Sequence, residues 1–180
     1  MQPEIASLTK PKQILKTIRD QYALDWNGLH GVTHWARVYE NGLRIANTYD
    51  VNKHVLLLFS VFHDSRRVND SVDPGHGLRG AELAAELRGS YFSLTDDEFD
   101  LLYHACELHT EGLTEGDLSV QVCWDADRLD LARVRFIPKP EKLCTEAAKE
   151  PETITWSSDR ARSGFVPRLL SKDWRQLDRL

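Results

Sequence analysis

Apolar residues recur along this chain at helical rather than strand spacing, and turn residues cut the pattern into helix-length pieces. Ile14, Leu15, Ile18 and Tyr22 share one face of a first helix predicted over residues 11–24, with Pro11 suited to its opening turn. Residues 25–31 break it. Trp35, Val38, Gly42, Ile45, Ala46 and Tyr49 predict a second helix running to Asp50, with Thr33 able to cap it. A third, over residues 53–66, is apolar from Val55 to Phe62 except at Ser60, the pattern of a helix buried on most sides. A loop rich in Asn, Asp, Pro and Gly fills residues 69–77, and a fourth helix is predicted over residues 78–88. Thr95 and Glu98 match a capping box that opens a fifth helix through about His109. Residues 120–134 predict a sixth, stopped by Pro138 and Pro140. Residues 141–149 predict a short helix and residues 151–164 read as irregular. Leu169, Leu170, Trp174 and Leu177 give a weak period for a terminal docking helix. No segment alternates long enough to demand a sheet, so the expected fold class is all-α.

Composition narrows the picture a little. At 180 residues, 41% of them hydrophobic and 28% charged, the chain suits one core: a helical domain over residues 1–150, with residues 151–180 as an extension packed on it. A net charge of -5 and a pI near 5.8 provide no electrostatic footprint for nucleic acid, which is not an expected partner. No apolar run approaches the roughly 20 residues a bilayer crossing needs, and the first residues lack the charged and apolar regions of a secretory signal. The expectation is a cytoplasmic protein with no membrane partner. Cys106, Cys123 and Cys144 form no paired motif and are expected as buried, reduced thiols.

The chemistry lies in His34, His63-Asp64 and Asp127. Imidazole nitrogens and carboxylate oxygens without thiolate suit a fairly hard divalent cation that keeps positions open for water and substrate. The His63-Asp64 pair closes the most apolar helix of the chain, where two polar side chains are costly to bury without a partner. A metal would satisfy both; a capping Asp beside an exposed His is the other reading.

The order His34, His63-Asp64, Asp127 resembles the HD-domain superfamily of metal-dependent phosphohydrolases, in its small bacterial single-domain type. The resemblance spans roughly residues 29–130. His34-Trp35-Ala36-Arg37-Val38 is similar to the family's H-x-x-R-V opening, His63-Asp64-Ser65 to its doublet and Asp127-Arg128-Leu129 to its closing ligand. Asp73-Pro74-Gly75-His76-Gly77 with Gly80-Ala81 resembles the connecting segment. The resemblance implies a helical bundle with its metal site between core helices. His34, His63, Asp64 and Asp127 would be the ligands of a divalent ion such as Mn²⁺, Mg²⁺, Co²⁺ or Fe²⁺, one ion being expected and two possible. It also implies a small phosphorylated substrate, nucleotides first, hydrolysed through metal-activated water that Asp64 helps to orient. No oligomeric state follows from it.

Several neighbours compete for roles. Asp125 and Asp130 are alternatives for the last ligand, and only Asp130 would share a helix face with Asp127. His76 and His109 are candidates for a second ion or for donors to a substrate phosphate, whereas His104 reads as an ordinary helix residue. His30 is a candidate supporting residue. Arg66, Arg67 and Arg128 each follow a proposed ligand, where a guanidinium can orient a phosphate or simply form a surface ion pair. Two other functions stay open: an HD-fold di-iron oxygenase, which needs the intervening His residues, and a noncatalytic metal- or nucleotide-binding module.

Overall fold

The computed structural model describes residues 10–168, and the expected docking helix around Trp174 lies outside them. The helices are α1 (Pro11–Arg19), α2 (Val32–Ile45), α3 (Lys53–Phe62), α4 (His76–Leu87), α5 (Asp96–Leu108), α6 (Leu118–Arg128), α7 (Glu146–Lys149) and α8 (Pro151–Arg162). Short 3₁₀ turns at Leu131–Val134 and Pro140–Lys142 join the last of them. Among the described residues there is no strand, only an isolated bridge between Arg88 and Phe92, so the fold is all-α. No described helix is long and apolar enough to cross a membrane.

The organising element is α3. Its run of Val55, Leu56, Leu58, Phe59, Val61 and Phe62 is buried, and α2, α4, α5 and α6 all pack on it. Each such large apolar side chain is worth roughly 1.5–3 kcal/mol when fully buried. Asn52 starts the helix by accepting the amides of His54 and Val55 at 3.0 and 3.1 Å. The capping box of α5 forms with both arms present, and Glu98 of that box also accepts from Asn52 at 2.8 Å, tying the two helix starts together.

Helix α4 lies close to its neighbours because it carries two glycines on one face. A Cβ on Gly77 would sit 2.3 Å from the Cys106 carbonyl of α5, and one on Gly80 would sit 2.3 Å from the Phe62 carbonyl of α3. This close approach gives the glycines of the connecting segment a physical reason. It also brings His76 alongside the ends of α3 and α5.

Several boundaries differ from the sequence expectation. Helix α1 ends at Arg19 rather than near Leu24, and Tyr22 turns inward to meet Trp26 and Trp35 edge-to-face at centroid distances of 5.7 and 5.5 Å. Thr33 does not cap α2: the helix begins at Val32 after Gly31, whose missing Cβ would fall 2.1 Å from the Trp26 carbonyl. Helix α3 stops at Phe62, four residues early, because the Ser65 amide and hydroxyl both return to the Phe62 carbonyl, at 3.1 and 2.7 Å. The expected sixth helix divides after Arg128, with the chain re-forming a 3₁₀ turn from Leu131. Residues 151–164 are not irregular. They form α8, whose Arg160 pairs with Glu40 of α2 and whose Trp156 receives Arg44 of α2 over its ring at 4.9 Å. Cys106 and Cys123 are buried as expected, but Cys144 is only half-buried.

Candidate metal centre

Five elements deliver side chains to one point inside the bundle. His34 comes from the first turn of α2, His63 and Asp64 from the turn that ends α3, and His76 from the first position of α4. His109 follows α5, and Asp127 lies in the last turn of α6. His34, His63, Asp64, His76 and His109 are buried, while the Asp127 side chain keeps 16% exposure. The centre is therefore closed except on the Asp127 side.

The donor atoms fall into two groups that share Asp64. In the first, His34 Nε2 lies 3.1 Å from His63 Nε2, 3.3 Å from Asp127 Oδ1 and 3.6 Å from Asp64 Oδ2. His63 Nε2 completes it at 3.7 Å from Asp127 Oδ1 and 3.9 Å from Asp64 Oδ2. In the second, His76 Nε2 lies 3.0 Å from both His109 Nε2 and Asp64 Oδ1, with His109 Nε2 at 3.7 Å from the same oxygen. Donors bound at about 2.1 Å to one cation are separated by about 3.0 Å in an octahedron and about 3.4 Å in a tetrahedron. Both groups have that span. Asp64 turns one oxygen to each.

The imidazole tautomers follow from the partners on the other ring nitrogen. His63 Nδ1 donates to the Phe59 and Ser60 carbonyls at 3.1 Å, His76 Nδ1 to the Asp73 carbonyl at 2.7 Å and His109 Nδ1 to the Cys106 carbonyl at 2.7 Å. His34 Nδ1 donates to Asp130 Oδ2 at 2.7 Å. In the neutral ring every Nε2 consequently presents a lone pair to the centre, the orientation metal-ligating histidines adopt. Lone pairs face each other at 3.1 Å between His34 and His63 and at 3.0 Å between His76 and His109, which is repulsive unless a cation or proton lies between them. Asp127 Oδ1 is buried with no hydrogen-bond partner, aimed into the first group. These features fit a metal centre, and the buried His/Asp groups could bind one.

Electrostatics favour a neutral His63 and ionised carboxylates, while the carboxylates draw His109 toward its protonated form. Burial pushes His63 down to about 3. Burial opposes ionisation of Asp64 and Asp127, yet both are held well below the usual carboxylate range. For Asp64 the adjacent His63 and the close contacts of His109, His30 and His76 prevail, and for Asp127 those of His34 and His63. His109 is shifted upward against its burial by Asp64 and Asp127.

The competing residues separate cleanly. Asp130 supports His34 from behind and is itself gripped by Arg37, whose Nε and Nη2 donate to its two oxygens at 2.8 and 3.0 Å. Asp125 faces away and accepts from the Cys144 and Thr145 amides and the Thr145 hydroxyl, tying the start of α7 to α6. Arg128 points away from the centre too: it donates to the Leu113 and Lys142 carbonyls at 2.7 and 2.9 Å, so its expected phosphate contact gives way to a structural one. Arg66 lines a separate small cleft with Gln21, Arg79 and Glu82. Of the three arginines only Arg67 reaches the centre, with Nη1 at 3.2 Å from His76 Nε2. His30 Nδ1 lies 2.9 Å from Asp64 Oδ2, and His104 is exposed beside Trp124.

Two cations escaped the sequence reading of roles. Arg37 grips Asp130, and Arg133 donates to the Asp130 carbonyl at 3.1 Å with its other Nη 3.5 Å from His30 Nδ1. Both line a cleft of about 790 Å³ together with Asn27, Thr33, Arg162 and Val166. A three-residue step was their signal: Arg37 follows His34 by it, Asp130 follows Asp127 and Arg133 follows Asp130.

Comparison with known proteins gives one informative likeness. No family model and no curated protein matches the chain. Among solved structures it is similar to a predicted HD superfamily hydrolase from an uncultured Thermotogales bacterium, with 25% identity and a TM-score of 0.64. The likeness covers 93% of this chain and 95% of the other.

Proposed function

The chain has the HD-domain fold, and from that premise we propose that it is a metal-dependent hydrolase acting on a phosphate ester, with nucleotides the first class to try. The observation that carries this reading is the convergence of His34, His63, Asp64 and Asp127 around Asp127 Oδ1, a buried carboxylate oxygen with no protein partner. These four residues hold the first divalent ion, and Asp64, His76 and His109 are the donors for a second. A bound divalent cation supplies Lewis acidity to a phosphate oxygen and lowers the pKa of coordinated water.

The chain's own residues prepare the site for an anion. Asp127, on the one partly exposed side, marks where substrate reaches the centre. Arg133 lines the cleft and reaches His30, the neighbour of Asp64, and the exposed Arg162 adds a second guanidinium to the cleft wall, whereas the charge of Arg37 is spent on Asp130. Guanidinium groups stay charged and match phosphate oxygens in pairs, which supports a phosphorylated substrate over a neutral one. Asp64, with one oxygen toward each donor group and His30 on its edge, is held in a single orientation from which it can steer an attacking water.

The test is metal analysis of purified protein followed by phosphate release from a panel of phosphorylated compounds, nucleotides included. His63→Ala and Asp64→Ala are expected to abolish metal-stimulated release while leaving helical content intact. Unchanged turnover in both would sink the assignment. The second donor group also favours one rival, a di-iron oxygenase; two irons per chain with oxygen consumption and no phosphate release would select it.

A further inference from the structure

Arg67 is built into the second donor group in a way the hydrolase reading does not require. Its Nε donates to the Asn69 carbonyl at 3.3 Å and one Nη to the Ser71 carbonyl at 2.6 Å, which leaves the other Nη pointing inward. That nitrogen lies 3.2 Å from His76 Nε2 and 3.6 Å from Asp64 Oδ1. Because the His76 Nδ1 proton is committed to the Asp73 carbonyl, Nε2 carries only a lone pair, and Arg67 donates to it. The guanidinium therefore uses a lone pair that a metal ion in this group needs. Its fixed charge also lies against the same carboxylate oxygen.

The first group is different: among the described residues none hydrogen-bonds Asp127 Oδ1. Arg67 cannot make way by losing a proton, since an arginine stays charged in proteins. It has to move, and the loop around it resists. Asp73 accepts the Val68 amide at 2.8 Å and Arg79 at 2.6 Å, and Asn69 accepts the Ser71 amide at 2.8 Å, so the carbonyls that clamp Arg67 are themselves fixed.

We infer that Arg67 is a resident cation of the second donor group that competes with a second metal ion. The chain then holds one divalent ion tightly at His34, His63, Asp64 and Asp127, and a second only weakly at Asp64, His76 and His109. Arg67 acts on metal stoichiometry through the charge and hydrogen bond it directs at Asp64 and His76. This inference rests on the metal reading above.

The test uses chelator-stripped full chain titrated with Mn²⁺, read by calorimetry and by elemental analysis after equilibrium dialysis. Wild type is expected to show a second binding step at least about 100-fold weaker than the first. Arg67→Gln, which removes the charge while keeping an amide for the loop carbonyls, is expected to tighten the second step at least about tenfold and to move the first less than about threefold. Arg67→Met is expected to do the same, and adding His76→Ala to either variant erases the second step. Electron paramagnetic resonance of wild type needs no variant to fold: at one equivalent of Mn²⁺ the spectrum should be that of isolated ions. A spin-coupled pair at that loading, two steps of equal strength in wild type, or a second step unchanged or weakened in folded Arg67→Gln and Arg67→Met overturns the inference while leaving the metal reading in place. Uptake of no metal by any form overturns the metal reading and takes this inference with it.

Discussion

Replacing Asp130 by Asn separates the two tasks this buried carboxylate performs. The amide keeps the shape but removes the charge from a group whose side chain is 1% exposed and which accepts from His34 at 2.7 Å and from Arg37 at 2.8 and 3.0 Å. Breaking a buried ion pair from one side costs about 3–5 kcal/mol, and because the Asn carbonyl can still accept one bond we expect about 3 kcal/mol here. His34 meanwhile loses the carboxylate partner that fixes its tautomer and ring orientation, and loss of such a partner weakens metal binding about 10–100-fold. Arg37→Met added to Asp130→Asn removes the stranded charge. The double variant should recover about half of the lost stability and none of the lost affinity, a split that equilibrium urea unfolding and Mn²⁺ titration read independently. A folded Asp130→Asn protein whose affinity stays within about threefold of wild type would refute the orienting role. Recovery of affinity in the double variant would refute it as well.

Three further outcomes are expected. Gly80→Ala places a Cβ 2.3 Å from the Phe62 carbonyl, so the roughly 1 kcal/mol gained in helix propensity should be outweighed by about 1–3 kcal/mol of overpacking, with a lower melting temperature and weaker metal binding because α3 carries His63 and Asp64. Arg128→Ala removes donors from the Leu113 and Lys142 carbonyls and should cost about 2–3 kcal/mol in unfolding free energy while leaving metal stoichiometry unchanged; loss of metal at unaltered stability would contradict the orientation seen for this side chain. For pH, burial lowers His63 from 6.5 to about 3, so between those values the unfolded chain takes up the proton that the folded one refuses. Stability of the metal-free chain from this group is full above about 6.5 and falls with decreasing pH by up to about 1.4 kcal/mol per unit, which urea unfolding at stepped pH would reveal.

How much of this was legible in the sequence differs from element to element. The capping box at Thr95 and Glu98 and the apolar run of α3 depend on interactions within a few residues, and both formed where the pattern predicted. Helix α8 was not legible because its supports lie far away in sequence: Arg160 meets Glu40, and Arg44 meets both Trp156 and Glu152. The division of α6 from the following 3₁₀ turn was equally hidden. Asp130 sits at that division, where its carboxylate reaches His34 and Arg37 instead of continuing a helical face.

The sequence by itself determined an all-α chain and the chemical type of its centre, because helical periodicity and the coordination preferences of imidazole and carboxylate are local properties of residues. Only the tertiary structure decided which atoms meet. The two oxygens of Asp64 are divided between donor groups 34/63/127 and 76/109, Asp130 stands behind His34 rather than beside Asp127, and Arg67 rather than Arg66 or Arg128 reaches the centre. The physical reason is that hydrogen bonds act over about 3 Å and coordination over about 2 Å, distances met only through the way five elements pack. Two glycines of α4, Gly77 and Gly80, allow that packing to be close enough.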